Sequence, residues 1–352
     1  MKNKIKVGLW GLGRAGWNMH CEEIAKFNDE FELVAGCDLL PDRCREFEER
    51  YRRPAYPAEQ AFLNDSEIEL VSIATYSQDH VKDTRLALEH GKLVFLEKPV
   101  ALSVAEGEEL RRLDRQYPNR LFIRQNRRFE AAFQHVLEIM RRGILGNVYE
   151  IKLCRHNFMR RDDWQTLVNC GGGQLNNWGP HLIDHGLRFL ESPCVEIHSD
   201  LKLIAACGDA EDHLKILLKG ANGRVIDIEI SGGVAIPGDV YQVYGTRGTL
   251  VSRDEKELVL KYLDPAVTLP ALRPHAGSPA RNSGYGNPGE LKWLEETIPT
   301  RPSNGYDMSD IYHYLYLALR ENQPFPVTLE EALEVVRVTA EVKRQSAVER
   351  MR

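Results

Sequence analysis

The sequence predicts an α/β chain in two parts: a parallel sheet built from βαβ units, then an α+β part on an antiparallel sheet. Three observations carry this. Short apolar runs alternate with helical spacing through residues 1–125, the pattern of successive βαβ units. A glycine cluster separates the first apolar run from the first helix. Beyond one further helix, strand signals follow one another with turn residues between them. The length, 352 residues, fits two domains at about 150 residues each, and the change of character places them at 1–125 and 126–352.

Each element has a local reason. Ile5 to Leu9 alternates apolar and small or polar residues and runs into the glycines. A helix follows to about Phe27, then apolar strands at Phe31 to Cys37 and Ile68 to Ala74. His80 to Glu89 has helical spacing, and Gly91 sits where a left-handed helix stop belongs. Leu93 to Leu96 is a short strand ending in Glu97-Lys98-Pro99. Ser103 and Glu106 form a capping box for the next helix, and Leu121 to Ile123 is the last strand of this part. A helix over about Glu130 to Arg142 stops at Gly143. Strands are then expected at Val148 to Cys154, Cys194 to Leu203, Asp212 to Leu218, Val225 to Ile230, Val240 to Tyr244 and Thr249 to Val251. Asn222-Gly223 marks a hairpin and Gly245 to Gly248 another turn. Pro265 to Pro288 reads as a long loop, and two helices close the chain near Met308 to Asn322 and Leu329 to Arg350.

Composition narrows the function classes. At 43% hydrophobic and 28% charged the chain is ordinary globular protein. Its net charge of -6, without a basic stripe, speaks against nucleic acid and against an anionic membrane surface. No run of 18 apolar residues predicts a membrane span. Ile5 to Leu12 is interrupted by Lys6, Gly8 and Gly11 and lacks a small-residue cleavage site, so it reads as strand and turn, not as a secretory leader. The 7 cysteines are odd in number and lack Cys-x-x-Cys spacing, which suits reduced thiols in a cytoplasmic protein.

Gly11-Leu12-Gly13-Arg14-Ala15-Gly16 carries the first chemistry. The first glycine allows a tight turn, the second lets backbone approach a pyrophosphate, and the third packs helix on strand. The helix start then offers free N–H groups to phosphate. Asp38 ends the next strand at the usual distance of about 20 residues, where a carboxylate accepts ribose hydroxyls and repels a 2′-phosphate. This Rossmann pattern predicts NAD, while Arg43 leaves room for NADP. The alternative is a glycine turn in another α/β protein. Glu97-Lys98-Pro99 ends a strand at the sheet edge where ligands bind, so Lys98 is placed as a donor to a substrate oxygen, unless the pair is a surface ion pair.

Several blocks in this order resemble the glucose–fructose oxidoreductase and inositol dehydrogenase (Gfo/Idh/MocA) family. They are residues 74–80 and 91–99, Asn126-Arg127-Arg128-Phe129, Gly143 to Val148, Gly171 to Gly173 with Gly179-Pro180-His181, and Gly245 to Thr249. The resemblance spans Lys4 to about Arg344. It implies a Rossmann domain and a C-terminal domain on a large, mostly antiparallel sheet, often the site of homodimer or homotetramer contacts. It implies oxidation of a hydroxyl or reduction of a carbonyl on sugars, cyclitols and related small molecules with NAD or NADP. It places Lys98 between nicotinamide ribose and substrate, with Glu97, Thr75, Tyr76, Ser77 and His80 on the nicotinamide side.

Asn177, His181, Asp184 and His185 are expected on one helix. The family role of the histidine is general acid/base, which suits a side chain with an unperturbed pKa of about 6.5. Dehydrogenase members carry aspartate four residues before it. Here Asn177 stands there, and an amide hydrogen-bonds but takes no proton. Asn177 and Asp184 are therefore placed as substrate-binding groups, with Asp184 also suited to helix packing. The rival reading of His181 is a hydrogen-bonded core histidine. His181 and His185 also have helical metal-ligand spacing, but no third ligand accompanies them, so no metal is expected. Arg160 and Trp164 are candidates to bind and stack on a sugar from a loop over the pocket, and Arg127 is a further pocket candidate. A dehydrogenase is the leading reading. A redox-assisted glycosidase or lyase that returns its hydride and a non-catalytic cofactor-binding regulator are the rivals.

Overall fold

A computed structural model describes residues 3–274, 276–278, 291–300 and 307–351. The first sheet has six parallel strands: β1 (Ile5–Trp10), β2 (Phe31–Cys37), β3 (Ala55–Tyr56), β4 (Leu70–Ile73), β5 (Leu93–Glu97) and β6 (Leu121–Arg124), in the order β3-β2-β1-β4-β5-β6. Its central strands are buried except at Lys6, as expected for a parallel sheet covered on both faces. The connecting helices are α1 (Cys21–Lys26), α2 (Pro41–Tyr51), α3 (Glu59–Leu63), α4 (His80–Glu89) and α5 (Val104–Gln116). The strand order reverses between β1 and β4, so the turns leaving these two strands flank a crevice at the carboxyl edge, where α/β sheets bind ligands.

After α6 (Ala131–Arg142) the chain builds a nine-stranded sheet. Its strands are β7 (Val148–His156), β8 (Cys194–Leu203), β9 (His213–Gly220), β10 (Val225–Ser231), β11 (Tyr241–Gly245), β12 (Gly248–Ser252), β13 (Glu257–Leu263), β14 (Trp293–Pro299) and β15 (Val348–Arg350). The order is β14-β13-β12-β11-β7-β10-β9-β8-β15, antiparallel except where β10 meets β7 and β15 meets β8. Along β9 the residues Leu214, Ile216 and Leu218 are fully buried while Lys215, Leu217 and Lys219 are not, the alternation of a sheet with one covered face. The covering helices are α7 (Gln174–Asn177), α8 (Gly179–Leu190) and α10 (Leu329–Gln345).

The chain's last helices tie the two sheets together. From α9 (Asp310–Glu321), Ile311, Tyr312 and Leu315 are buried in the core of the first sheet. Helix α10 faces both cores, with Leu333 and Val336 toward the first and Val335, Val338 and Val342 toward the second.

Several elements differ from expectation. The helix expected to carry Asn177 through His185 is two pieces, α7 and α8, meeting at Trp178. The last helix ends at Gln345, and β15 takes its place beyond. Strands β3, β13 and β14 and helices α2 and α3 have no counterpart in the sequence reading. At α5, Ser103 Oγ accepts from Glu106 N, but Glu106 Oε2 accepts from Leu102 N, so only half the expected box forms. Residues 265–274 and 276–278 form no helix or strand, while the rest of the Pro265 to Pro288 loop lies outside the described residues.

Candidate active site

The glycine-rich turn leaves β1 into the crevice. Gly11 has φ +101, and a Cβ there would stand 2.4 Å from Ala74 O, so only glycine lets the turns after β1 and β4 touch. At Gly16 a Cβ would meet Gly11 O at 2.0 Å. At Gly13 the nearest atom is Arg43 Nη1 at 3.6 Å, so that position is an open cradle. The cradle, the helix start after it and the carboxylate beside it fit a dinucleotide pyrophosphate and ribose.

Asp38 is buried, and Oδ2 accepts from Leu12 N at 2.8 Å and Oδ1 from Leu40 N at 2.9 Å. Arg43 Nη1 donates to the same Oδ2 at 3.2 Å. Asp38 thus fastens the glycine turn to β2, with a guanidinium alongside. Thr75 Oγ1 donates to Asp83 Oδ2 at 2.7 Å. Tyr76 is 42% exposed and meets the edge of Trp164 at 5.1 Å between ring centroids. That contact joins the turn after β4 to the loop before α7, so Trp164 stands beside the expected nicotinamide side. Ser77 is partly exposed on the same turn.

Two residues expected on the cofactor side are turned inward. His80 is buried, with Nδ1 donating to Pro99 O at 2.8 Å and Nε2 lying 3.3 Å from Thr75 O, so it ties the start of α4 to the segment after β5. Burial holds it below the ordinary imidazole pKa, hence neutral. Glu97 is buried as well. Its Oε1 accepts from Arg124 Nη1 at 2.5 Å and from His20 Nε2 at 3.2 Å, and its Oε2 from Lys98 N at 3.1 Å. Burial alone would raise this carboxyl, but Arg124 and His20 hold it well below the carboxylate range. Arg124 is fully buried and spends its other arm on Glu23, at 2.6 and 2.7 Å. Glu97 and Arg124 are register partners on β5 and β6. Opposite charges ending consecutive parallel strands were the cue to this pair that sequence reading passed over.

Lys98 reaches across to the second sheet's helices, where Nζ donates to Asn177 O at 3.2 Å. Burial, opposed by Glu97 and aided by Arg127, lowers its pKa. An ammonium has three N–H bonds, so two remain beyond the Asn177 contact. His181, in the first turn of α8, is 6% exposed, and its Nδ1 is buried without a hydrogen-bond partner among the described residues. Burial, then Lys98 and Arg127, push its pKa well below the imidazole value, so the ring is a neutral base at pH 7. Asn177 itself is partly exposed and lines a small cleft with Met159, Arg161, Gln165, Gln174 and Glu211.

Trp178, between Asn177 and His181, packs its ring 5.9 Å from His181. Arg127 lies over it at 4.1 Å and Arg155 at 5.4 Å. Arg127 also pairs with Glu130, and burial and Arg155 bring its pKa down to about 10. Trp178 and Arg155 belong to this wall and were missed, although Trp178 sits between the two residues singled out.

Two expected site residues, Asp184 and Arg160, lie elsewhere, and so does His185. Asp184 is 0% exposed and held bidentate by Arg128, from Nε at 2.7 Å and Nη2 at 2.6 Å, so its carboxylate braces α8 instead of facing substrate. Arg160 is exposed and has no ion pair among the described residues, whereas its neighbour Arg161 lines the cleft beside Asn177. His185 is turned from His181, its ring stacked on Phe133 at 3.9 Å and Nε2 donating to Arg127 O at 2.8 Å.

Fold and site together define an oxidoreductase that binds a nicotinamide dinucleotide. Residues 5–125 match the family model of the oxidoreductase family with an NAD-binding Rossmann fold, and residues 133–251 match that of the Gfo/Idh/MocA C-terminal domain. The chain belongs to the Gfo/Idh/MocA family of oxidoreductases. It is 24% identical over 343 residues to the scyllo-inositol 2-dehydrogenase (NADP(+)) IolW of Bacillus subtilis, covering 95% of this chain and 91% of that protein. Its fold matches an NAD-binding protein from Listeria innocua, with TM-score 0.79 at 23% identity over 97% and 94% of the two chains. It also matches the WlbA dehydrogenase from Bordetella pertussis in complex with NADH and UDP-GlcNAcA, with TM-score 0.76 at 19% identity over 97% and 95%. Among the described residues no helix is long and apolar enough to cross a membrane.

Proposed function

We propose that this chain moves a hydride between the nicotinamide of NAD and a hydroxyl-bearing carbon of a sugar, cyclitol or glycoside. The observation that carries the reading is the meeting of Lys98, from the first sheet, with the Asn177–His181 segment of the second part. The inositol and sugar-nucleotide ligands named for the relatives above support the substrate class. The dinucleotide, when bound, supplies the hydride acceptor or donor. Residues 1–125 hold it: Gly11 to Gly16 at the pyrophosphate, Asp38 and Arg43 at the adenosine ribose, and Thr75 to Ser77 near the nicotinamide. Residues 126–352 hold substrate.

In the oxidation direction His181 takes the hydroxyl proton. Its depressed pKa keeps it unprotonated at neutral pH, so one ring nitrogen is available as acceptor. Lys98 steadies the developing alkoxide with an N–H not used by Asn177, as an oxyanion donor does. Asn177, Arg161 and Trp164 bind neighbouring hydroxyls and a ring face. Arg43 beside Asp38 supports use of NADP as well as NAD. The outward face of the large sheet, with Leu217 and Val259 37% and 46% exposed, is the surface we assign to homodimer or homotetramer contacts. All seven cysteines are free, which supports a reducing, cytoplasmic setting.

The test is absorbance at 340 nm with NAD or NADP and a panel of sugars, cyclitols and glycosides, run beside Lys98→Ala. A substrate-dependent rise that disappears in the variant is expected. Released sugar without any rise would instead identify the redox-assisted glycosidase.

A further inference from the structure

The helix that begins at the glycine-rich turn opens with a π-helical stretch, Gly16–His20, before α1. Single π turns carry an extra residue per turn and concentrate at functional sites. This one delivers His20 to the interior, where it is 0% exposed. Its Nε2 lies 3.2 Å from Glu97 Oε1 and its Nδ1 2.6 Å from the hydroxyl of Tyr312, itself fully buried on α9. Tyr312 Oη lies 3.3 Å from Ser72 Oγ on β4.

The protons in this chain have one arrangement. An ionised carboxylate only accepts, so the proton of a neutral imidazole is on Nε2, facing Glu97. Burial and Arg124 both disfavour a second proton on His20. Nδ1 is therefore bare and accepts from the Tyr312 hydroxyl, whose oxygen accepts from Ser72. At the far end Glu97 Oε2 accepts from the main-chain N–H of Lys98, whose side chain reaches Asn177.

We propose that His20 and Tyr312 are positioning residues that fix the Glu97 carboxylate, and through it the Lys98 backbone, coupling the seat of the glycine-rich turn to the placement of the Lys98 amine. The inference rests on the reading of Lys98 as a nicotinamide-side residue. Its elements come from three distant places: the first helix, the end of β5 and the late helix α9. A dinucleotide that seats the turn thereby sets the amine.

The test needs no substrate. Acetylation of Lys98 by acetic anhydride is followed by peptide mass spectrometry without and with saturating NADH, and the ratio is the protection of Lys98. Protection is measured in the wild type, His20→Leu, Tyr312→Phe and His20→Gln, with NADH affinity and thermal unfolding recorded for each. Wild-type protection is expected to fall roughly two- to tenfold in His20→Leu and Tyr312→Phe at saturating NADH, the factor one net hydrogen bond controls. His20→Gln, which keeps an amide donor toward Glu97, is expected to retain most of it. Tyr312→Phe keeps the buried ring, so it reports even if His20→Leu unfolds. Equal protection in all four proteins overturns the coupling while leaving the Lys98 assignment standing. A wild type that binds NADH without protecting Lys98 overturns the assignment, and the coupling falls with it.

Discussion

Asp184→Asn separates a structural carboxylate from a substrate ligand. Asp184 is 0% exposed and takes both a 2.7 Å and a 2.6 Å bond from Arg128. Asparagine keeps the shape and removes the charge. Taking one partner from a buried pair costs about 3 to 5 kcal/mol, because the other charge stays buried. Arg128 retains Glu331 at 2.5 Å, which places the loss near the lower end, about 3 kcal/mol. That is a large part of a total stability of about 5 to 15 kcal/mol. Urea unfolding followed by circular dichroism measures it, with NADH binding as a control expected to stay near wild type. The double replacement Arg128→Met with Asp184→Leu is expected to recover most of the loss, since apolar substitutes for a buried pair are often neutral. A loss under about 1 kcal/mol, or normal stability with substrate binding abolished, would refute the bracing role and return Asp184 to the substrate list.

His181→Asn is expected to lower kcat by about 10² to 10⁴ with dinucleotide affinity unchanged, read by steady-state kinetics on the active substrate. Arg43→Ala is expected to shift the NADP-to-NAD preference toward NAD by about tenfold, the worth of one charge-assisted hydrogen bond, measured as a ratio of kcat/KM values. Gly11→Ala sets a Cβ 2.4 Å from Ala74 O at φ +101, so loss of NADH binding and a clear drop in melting temperature are expected. Acid should destabilise the fold from about pH 6.5 downward. His20, His181 and His185 have depressed pKa values when folded, chiefly through burial, so the unfolded chain binds more protons there and stability falls with pH. For His185, held at about 3, the loss between pH 6.5 and 5 is roughly 2 kcal/mol, visible in urea midpoints across that range.

What could be read in the sequence was whatever has a local cause. The glycine turn was visible because its conformation and close approach admit little else, and β1, β2, β4 and β5 because buried parallel strands are apolar runs. Gly143, at φ +70, stops its helix as its position implied. Lys98 and His181 were visible through motif resemblance, and the structure brings their neighbourhood together. Asp184 misled because its partner Arg128 lies 56 residues away, so helical spacing alone could not tell a brace from a ligand. His20 and Tyr312 are 292 residues apart and leave no local trace. Helix α2, rich in charge and begun at Pro41, has a thin apolar stripe of Cys44, Phe47 and Tyr51, which its many charges masked.

The seating of α9 in the first core sets an order on biosynthesis. The six strands of the first sheet have all left the ribosome once Arg124 emerges, but Ile311, Tyr312 and Leu315 come later. Asp310 lies roughly 190 residues beyond Arg124, an interval of about 10 to 40 s at ordinary elongation rates. Through that interval the nascent nucleotide-binding sheet shows a bare apolar strip where α9 will sit, and the His20–Glu97 pair waits for its tyrosine. A stop codon before α9 would leave the sheet with that strip permanently uncovered.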